Sequence, residues 1–121
     1  IPPGGGWPTL TLSSNDGAAT PPPASGIPAP SDLAGTAVAK NKNSATVTLN
    51  WTDNSINETG FLIQRAYDVG FTSGVVNATV NANITTFTQS VARNTTYFYR
   101  VHAFTSTTQS GWSNTATVAA P

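Results

Sequence analysis

The chain of 121 residues contains no cysteine and no methionine, a single histidine, and only 8% charged residues. Without cysteine there is no disulfide framework, no thiolate nucleophile and no cysteine metal site. Five Lys plus Arg balance five Asp plus Glu, so there is no basic field for nucleic acid or anionic lipid. No apolar run approaches the roughly 18 residues of a membrane-spanning helix. Neither a nucleic-acid partner nor membrane insertion is therefore expected. The single histidine, His102, has no cysteine beside it, and no triad is expected from this chain. Asp16, Asp32 and Asp68 fall in separate loops or linker, with no spacing that suits acid–base work. The glycine run "PPGGGWP" opens no helix and so makes no phosphate loop. The expectation is a chain with no catalytic residue, no cofactor and no metal.

What the chain has in quantity is threonine (20), serine (11) and asparagine (11). Such a surface is wetted by hydroxyls and amides instead of charges, a composition associated with secreted, fibrous or wall-attached proteins. Asn-x-Ser/Thr triplets at Asn50, Asn57, Asn77, Asn83 and Asn94 are candidate glycan acceptors in a host that uses them. The first residue is Ile1, not Met, which suggests a mature or excised form. Extracellular or cell-surface placement is the expectation.

Three zones follow along the chain. Residues 1–14 hold a strand-like segment in which Trp7, Leu10 and Leu12 alternate with Thr9 and Thr11. Residues 15–30 carry five of the nine prolines and read as a semi-rigid polyproline-II spacer. From 31 to 121 the pattern is of short strands with polar breaks and no helical period. In "SATVTLNWTD", Val47, Leu49 and Trp51 share one face, and Thr46, Thr48 and Asn50 the other. In "ETGFLIQRAY", Phe61 and Ile63 oppose Leu62 and Gln64. In "NTTYFYRVHAF", Tyr97, Tyr99, Val101 and Ala103 oppose Phe98, Arg100, His102 and Phe104. Period two means one buried face and one wet face. Weaker strands are expected over Leu33–Lys40, Val75–Val80, Thr85–Ser90 and Asn114–Ala119. Seven strands without a helix predict an all-β, antiparallel immunoglobulin-like sandwich.

Those segments, with "APSDLAGTAV" before them and "SGWSNTATVAAP" after, resemble a fibronectin type III domain of bacterial or archaeal style over about residues 27–121. The resemblance implies a core built on Trp51, Phe61, Tyr97 and Tyr99. It also implies a tyrosine corner in which the Tyr97 hydroxyl bonds back to the backbone. Val91 and Arg93 depart from the family's usual Leu and Pro there. The family's integrin-binding tripeptide is missing from "TSTTQSG".

Several side chains invite a functional reading. By parity His102 faces outward, as a surface imidazole in a cross-strand pair. The loop Asp53–Glu58 offers alternate oxygens to a cation but lacks the bend-forming Gly and closing acid of a helix-flanked calcium site. It reads as an Asx-type turn, with Glu58 pairing Arg100 across the strands. Phe98, Phe104 and Trp112 remain at the surface, able to stack on sugar rings or on a neighbouring domain. The expected role is a non-catalytic structural or interaction module. Its partners would be another copy, a neighbouring domain or glycans. One route is a fibre, in which Trp7–Ser14 adds to an open sheet edge of the next subunit. The alternatives are an accessory module beside a secreted multicopper oxidase or glycoside hydrolase, and a carbohydrate-binding module.

Overall fold

The computed structural model describes residues 27–121. Seven strands form two antiparallel sheets: β1 (Ser31–Ala39), β2 (Ser44–Thr52), β3 (Gly60–Ala66), β4 (Val76–Asn81), β5 (Thr86–Ala92), β6 (Thr95–Phe104) and β7 (Ala116–Ala120). One sheet has the order β1-β2-β5, the other β4-β3-β6-β7. The element bounds differ from the sequence expectation by only a residue or two at each end. The core begins earlier than Ser31, because Ile27 and Pro30 are already buried.

Alternation explains the central strands. In β2, Ala45, Val47, Leu49 and Trp51 are buried while the residues between them are not. Phe61 and Ile63 of β3 and Tyr97, Tyr99 and Val101 of β6 meet them from the other sheet, each at most 2% exposed. The Trp51 and Phe61 rings meet edge-on at 5.6 Å, the arrangement that aromatic quadrupoles favour. Each such side chain contributes roughly 1.5–3 kcal/mol of burial free energy.

The turns are set by local chemistry. Asn83 and Asn94 sit at φ 66° and 59°, a left-handed conformation that asparagine tolerates better than bulkier residues. After the β5–β6 turn, the Tyr97 hydroxyl accepts a hydrogen bond from the Ala92 N–H at 3.1 Å, as the resemblance implies. Val91 fills the core beside it. Where a proline would stiffen the corner, Arg93 clamps it instead. Its guanidinium donates to the carbonyls of Pro121 (3.0 Å) and Asn41 (3.3 Å), tying the β1–β2 turn and the chain's last residue to the corner.

Replacing Tyr97 by Phe removes the corner bond and little else. Urea unfolding should show a loss of about 1 kcal/mol with an unchanged m-value. A loss indistinguishable from zero would mean the corner bond adds nothing.

Candidate functional site

The outer face of the four-stranded sheet gathers Arg100, His102, Phe71, Phe104 and Trp112 into one cluster. Its construction begins with "SGWS", residues 110–113. This segment runs beside β6 without continuing the regular ladder. The Ser110 N–H donates to the Ala103 carbonyl and the Ser113 N–H to the Val101 carbonyl, both at 2.8 Å. In return, the Ala103 N–H donates to Ser110 Oγ (2.9 Å) and the Val101 N–H to Ser113 Oγ (3.0 Å). Two serine hydroxyls thus take the place of ladder carbonyls. Trp112, between them, lies over the sheet.

Beneath Trp112 lies a column. The Arg100 guanidinium is 4.1 Å from the Trp112 ring centroid and 4.1 Å from that of Phe71, a cation held between two π faces. Its Nε donates to Gln64 Oε1 at 2.8 Å. The His102 imidazole meets Trp112 edge-on at 4.5 Å and Phe104 at 6.5 Å. The surface imidazole expected from parity is therefore corrected: His102 faces outward from the strand but is only 6% exposed. Parity names the face of a sheet, and here the 109–113 segment covers that face. Burial lowers the pKa of His102, with a smaller push from the Arg100 charge.

The expected Glu58–Arg100 pair is also corrected. The β3–β6 register sets Gln64 opposite Arg100 and Gly60 opposite Phe104, so Glu58 lies beyond the end of that ladder. Glu58 is buried. Its Oε1 accepts from the Ser55 hydroxyl at 2.7 Å and its Oε2 from the Asn83 N–H at 3.0 Å. Asp53 Oδ1 accepts from the Ser55 N–H and hydroxyl. The loop is an Asx-type turn whose acids tie two loops together. Burial raises the pKa of Glu58, but the donated hydrogen bonds outweigh it and the net shift is downward.

Phe98, Phe104 and Trp112 do not form one row. Phe98 and Phe104 are separated along β6 by about 20 Å, and both are half-buried. Trp112 is 37% exposed. The asparagines Asn50, Asn57, Asn77, Asn83 and Asn94 are all exposed, although Asn77 Oδ1 accepts from Gln64 Nε2 at 3.1 Å. Trp7, Leu10 and Leu12 lie outside the described residues. Phe71 and Asn114 carried no sequence signal. The Asn114 amide accepts from the Leu33 N–H and donates to its carbonyl, both at 2.9 Å.

Between Leu62, Thr79, His102, Phe104 and the loop Thr105–Gly111 lies an open groove of about 870 Å³. The loop is braced by Thr105 N–H to the Thr108 carbonyl (2.8 Å) and by a 2.8 Å contact between the two threonine hydroxyls.

His102 and Glu58 give stability a defined pH dependence. Both folded pKa values lie below the ordinary values of 6.5 and 4.5, so the unfolded chain takes up each proton first. Stability should be complete above about pH 6.5, fall as His102 titrates below it, and fall again below about pH 4.5. Urea midpoints across that range test this. The variant His102→Leu should lose the upper decline and keep the lower one.

No protein-family model matches the sequence, and no curated protein matches it. Among solved structures the chain is similar to an Fn3-like protein from Clostridium thermocellum, at 21% identity over 78% of this chain and 94% of that one, with a TM-score of 0.62. It is similar to the FN3 domain of human collagen XX at 20% identity, over 84% and 98%, with a TM-score of 0.57. It is also similar to a β-1,2-glucanase from Parabacteroides distasonis at 23% identity, with a TM-score of 0.61. There the match covers 85% of this chain but 14% of that one. At these identities the likeness is one of fold.

Proposed function

We propose, from the premise that residues 27–121 carry a fibronectin type III fold, that the chain serves as a non-catalytic extracellular module for spacing and linking. The observation that carries this reading is the employment of its few ionisable side chains. Glu58 joins two loops, and Asp68 caps the turn at Thr72 and Ser73. Arg65 reaches across the sheets to Gln89, Arg93 clamps the corner, and Arg100 and His102 are stacked. Chemistry needs groups held ready for a substrate, and these are committed to the fold.

Within that reading, linking proceeds by strand addition. The segment Trp7–Ser14 pairs with an open edge of another copy, and repetition of this head-to-tail contact builds a fibre. Residues 15–26, the part of the Pro-rich spacer that precedes the packed Ile27, would reach about 37 Å if extended as polyproline II. A second reading is favoured by the glucanase match. A module of this fold beside a secreted catalytic domain would act as an accessory domain, and its partner would be that domain.

Size-exclusion chromatography with light scattering separates the two. The full chain should form large assemblies that are lost when it starts at Ile27, or when Leu10 and Leu12 are both changed to Asp. Monomers in every case would reject strand-mediated assembly and leave the accessory reading.

A further inference from the structure

The geometry points to a binding site for a neutral oligosaccharide in the groove between Phe104 and the loop Thr105–Gly111. Its floor is Leu62 and Phe104, one wall is Thr79, and the other is the loop. The Phe104 ring lies over Gly60, where an added Cβ would come 3.1 Å from Phe104 Cζ and collide with the Val80 carbonyl. Only a glycine lets that ring rest on bare backbone, and Phe104, half-buried, also lines the groove.

The lining carries no acidic residue, lysine or arginine, and burial holds His102 toward its neutral form. A charged ligand would therefore find no counter-charge in the groove, whereas a neutral polar ligand loses nothing by that. Thr79, Ser106, Thr107 and Gln109 are exposed at its walls. They present hydroxyls and one amide, groups that both donate and accept. An apolar ring face beside such groups matches a pyranose, which has C–H bonds on its faces and hydroxyls at its rim.

A peptide matches less well. Strand-adding peptides bind through backbone hydrogen bonds, but this floor lies where β3 is already paired to both β4 and β6. The floor offers side chains only. The loop wall is also fixed in advance. Thr105 and Thr108 bond to one another, and Ser110 is bonded to Ala103 in both directions, so binding orders little. Trp112, which sequence parity grouped with Phe104, is held over Arg100 and is not part of the lining.

The test uses the full chain, labelled with ¹⁵N, and four neutral hexasaccharides: cellohexaose, laminarihexaose, mannohexaose and chitohexaose. At about 10 mM each, a site with a Kd of about 1 mM would be mostly filled. At least one should shift the amides of Thr105–Gly111, Leu62 and Thr79. Phe104→Ala should weaken that binding about tenfold. Because Phe104 also packs on the sheet, Gln109→Ala serves as a second variant. It should weaken binding about threefold while leaving the urea midpoint unchanged. The proposal is overturned if none of the four sugars moves the groove amides, or if binding survives both substitutions undiminished. It is equally overturned if the chain's own Pro-rich peptide, Thr20–Ala29, moves those amides and the sugars do not.

Discussion

Two sheets that share neither a disulfide nor a hydrogen-bonded strand must be held by the side chains between them. In this chain that layer centres on Tyr99, the largest side chain among those with no exposure. Its ring packs in the core, and its hydroxyl ends at the gap between sheets, donating to Gln89 Oε1 at 3.0 Å. Arg65 Nη1 reaches the same oxygen at 3.1 Å, and its guanidinium lies 5.0 Å from the Tyr97 ring centroid. One amide oxygen of β5 thus gathers a phenol from β6 and a cation from β3. Burial pushes the Tyr99 pKa up to about 12, against the opposing pull of the Arg65 charge. The phenol stays protonated and keeps donating at any physiological pH. An apolar residue at position 89 would strand both donors, and a buried unpaired donor costs about 1–3 kcal/mol.

The same strand that fills the core builds the outer face. Tyr97, Tyr99 and Val101 point inward from β6, so Phe98, Arg100, His102 and Phe104 must point outward. A bare outward face of this kind would be a sticky surface. The 109–113 segment relieves that by laying Trp112 across it, at the cost of an irregular edge where serine hydroxyls take over from carbonyls. The departure from regular pairing leaves room beside Phe104 for a groove with a braced wall. Groove and stacked column are two results of one irregularity.

Sequence alone made the central strands legible because each is half-buried, and half-burial writes period two into the chain. Val47, Leu49 and Trp51 could be assigned to the core on that ground. What alternation cannot convey is what covers an outward residue. His102 has the right parity for the surface, yet a segment of Ser, Gly and Trp without strand periodicity lies on it. Register was the other blind spot. Adjacency of β3 and β6 makes a Glu58–Arg100 pair reasonable, but Glu58 falls past the ladder's end and finds Ser55 and the Asn83 N–H instead. The Arg100 stack needed Phe71, whose loop position and φ of 56° give no periodic signal. Asn114 was silent for a related reason, since its partner Leu33 is distant in the chain and near only once the sandwich closes.

The Asn114 contact bears on which edges of the sandwich are open. An edge strand exposes unpaired N–H and C=O groups that invite another strand. At β1, Asn114 supplies a side-chain amide in place of a neighbouring peptide unit, donating and accepting at Leu33. A register shift between Ser31 and Ala34 disturbs the same stretch, and Asp32 stands there at φ 56°. Bulges and side-chain plugs both discourage pairing. The outer edges of β4 and β5 have no comparable plug among the described contacts, and neither strand carries a lysine, arginine or proline to repel a newcomer. Among the described residues β7, the remaining edge strand, is likewise unplugged, so a strand added to this sandwich fits the edges of β4, β5 or β7 better than that of β1.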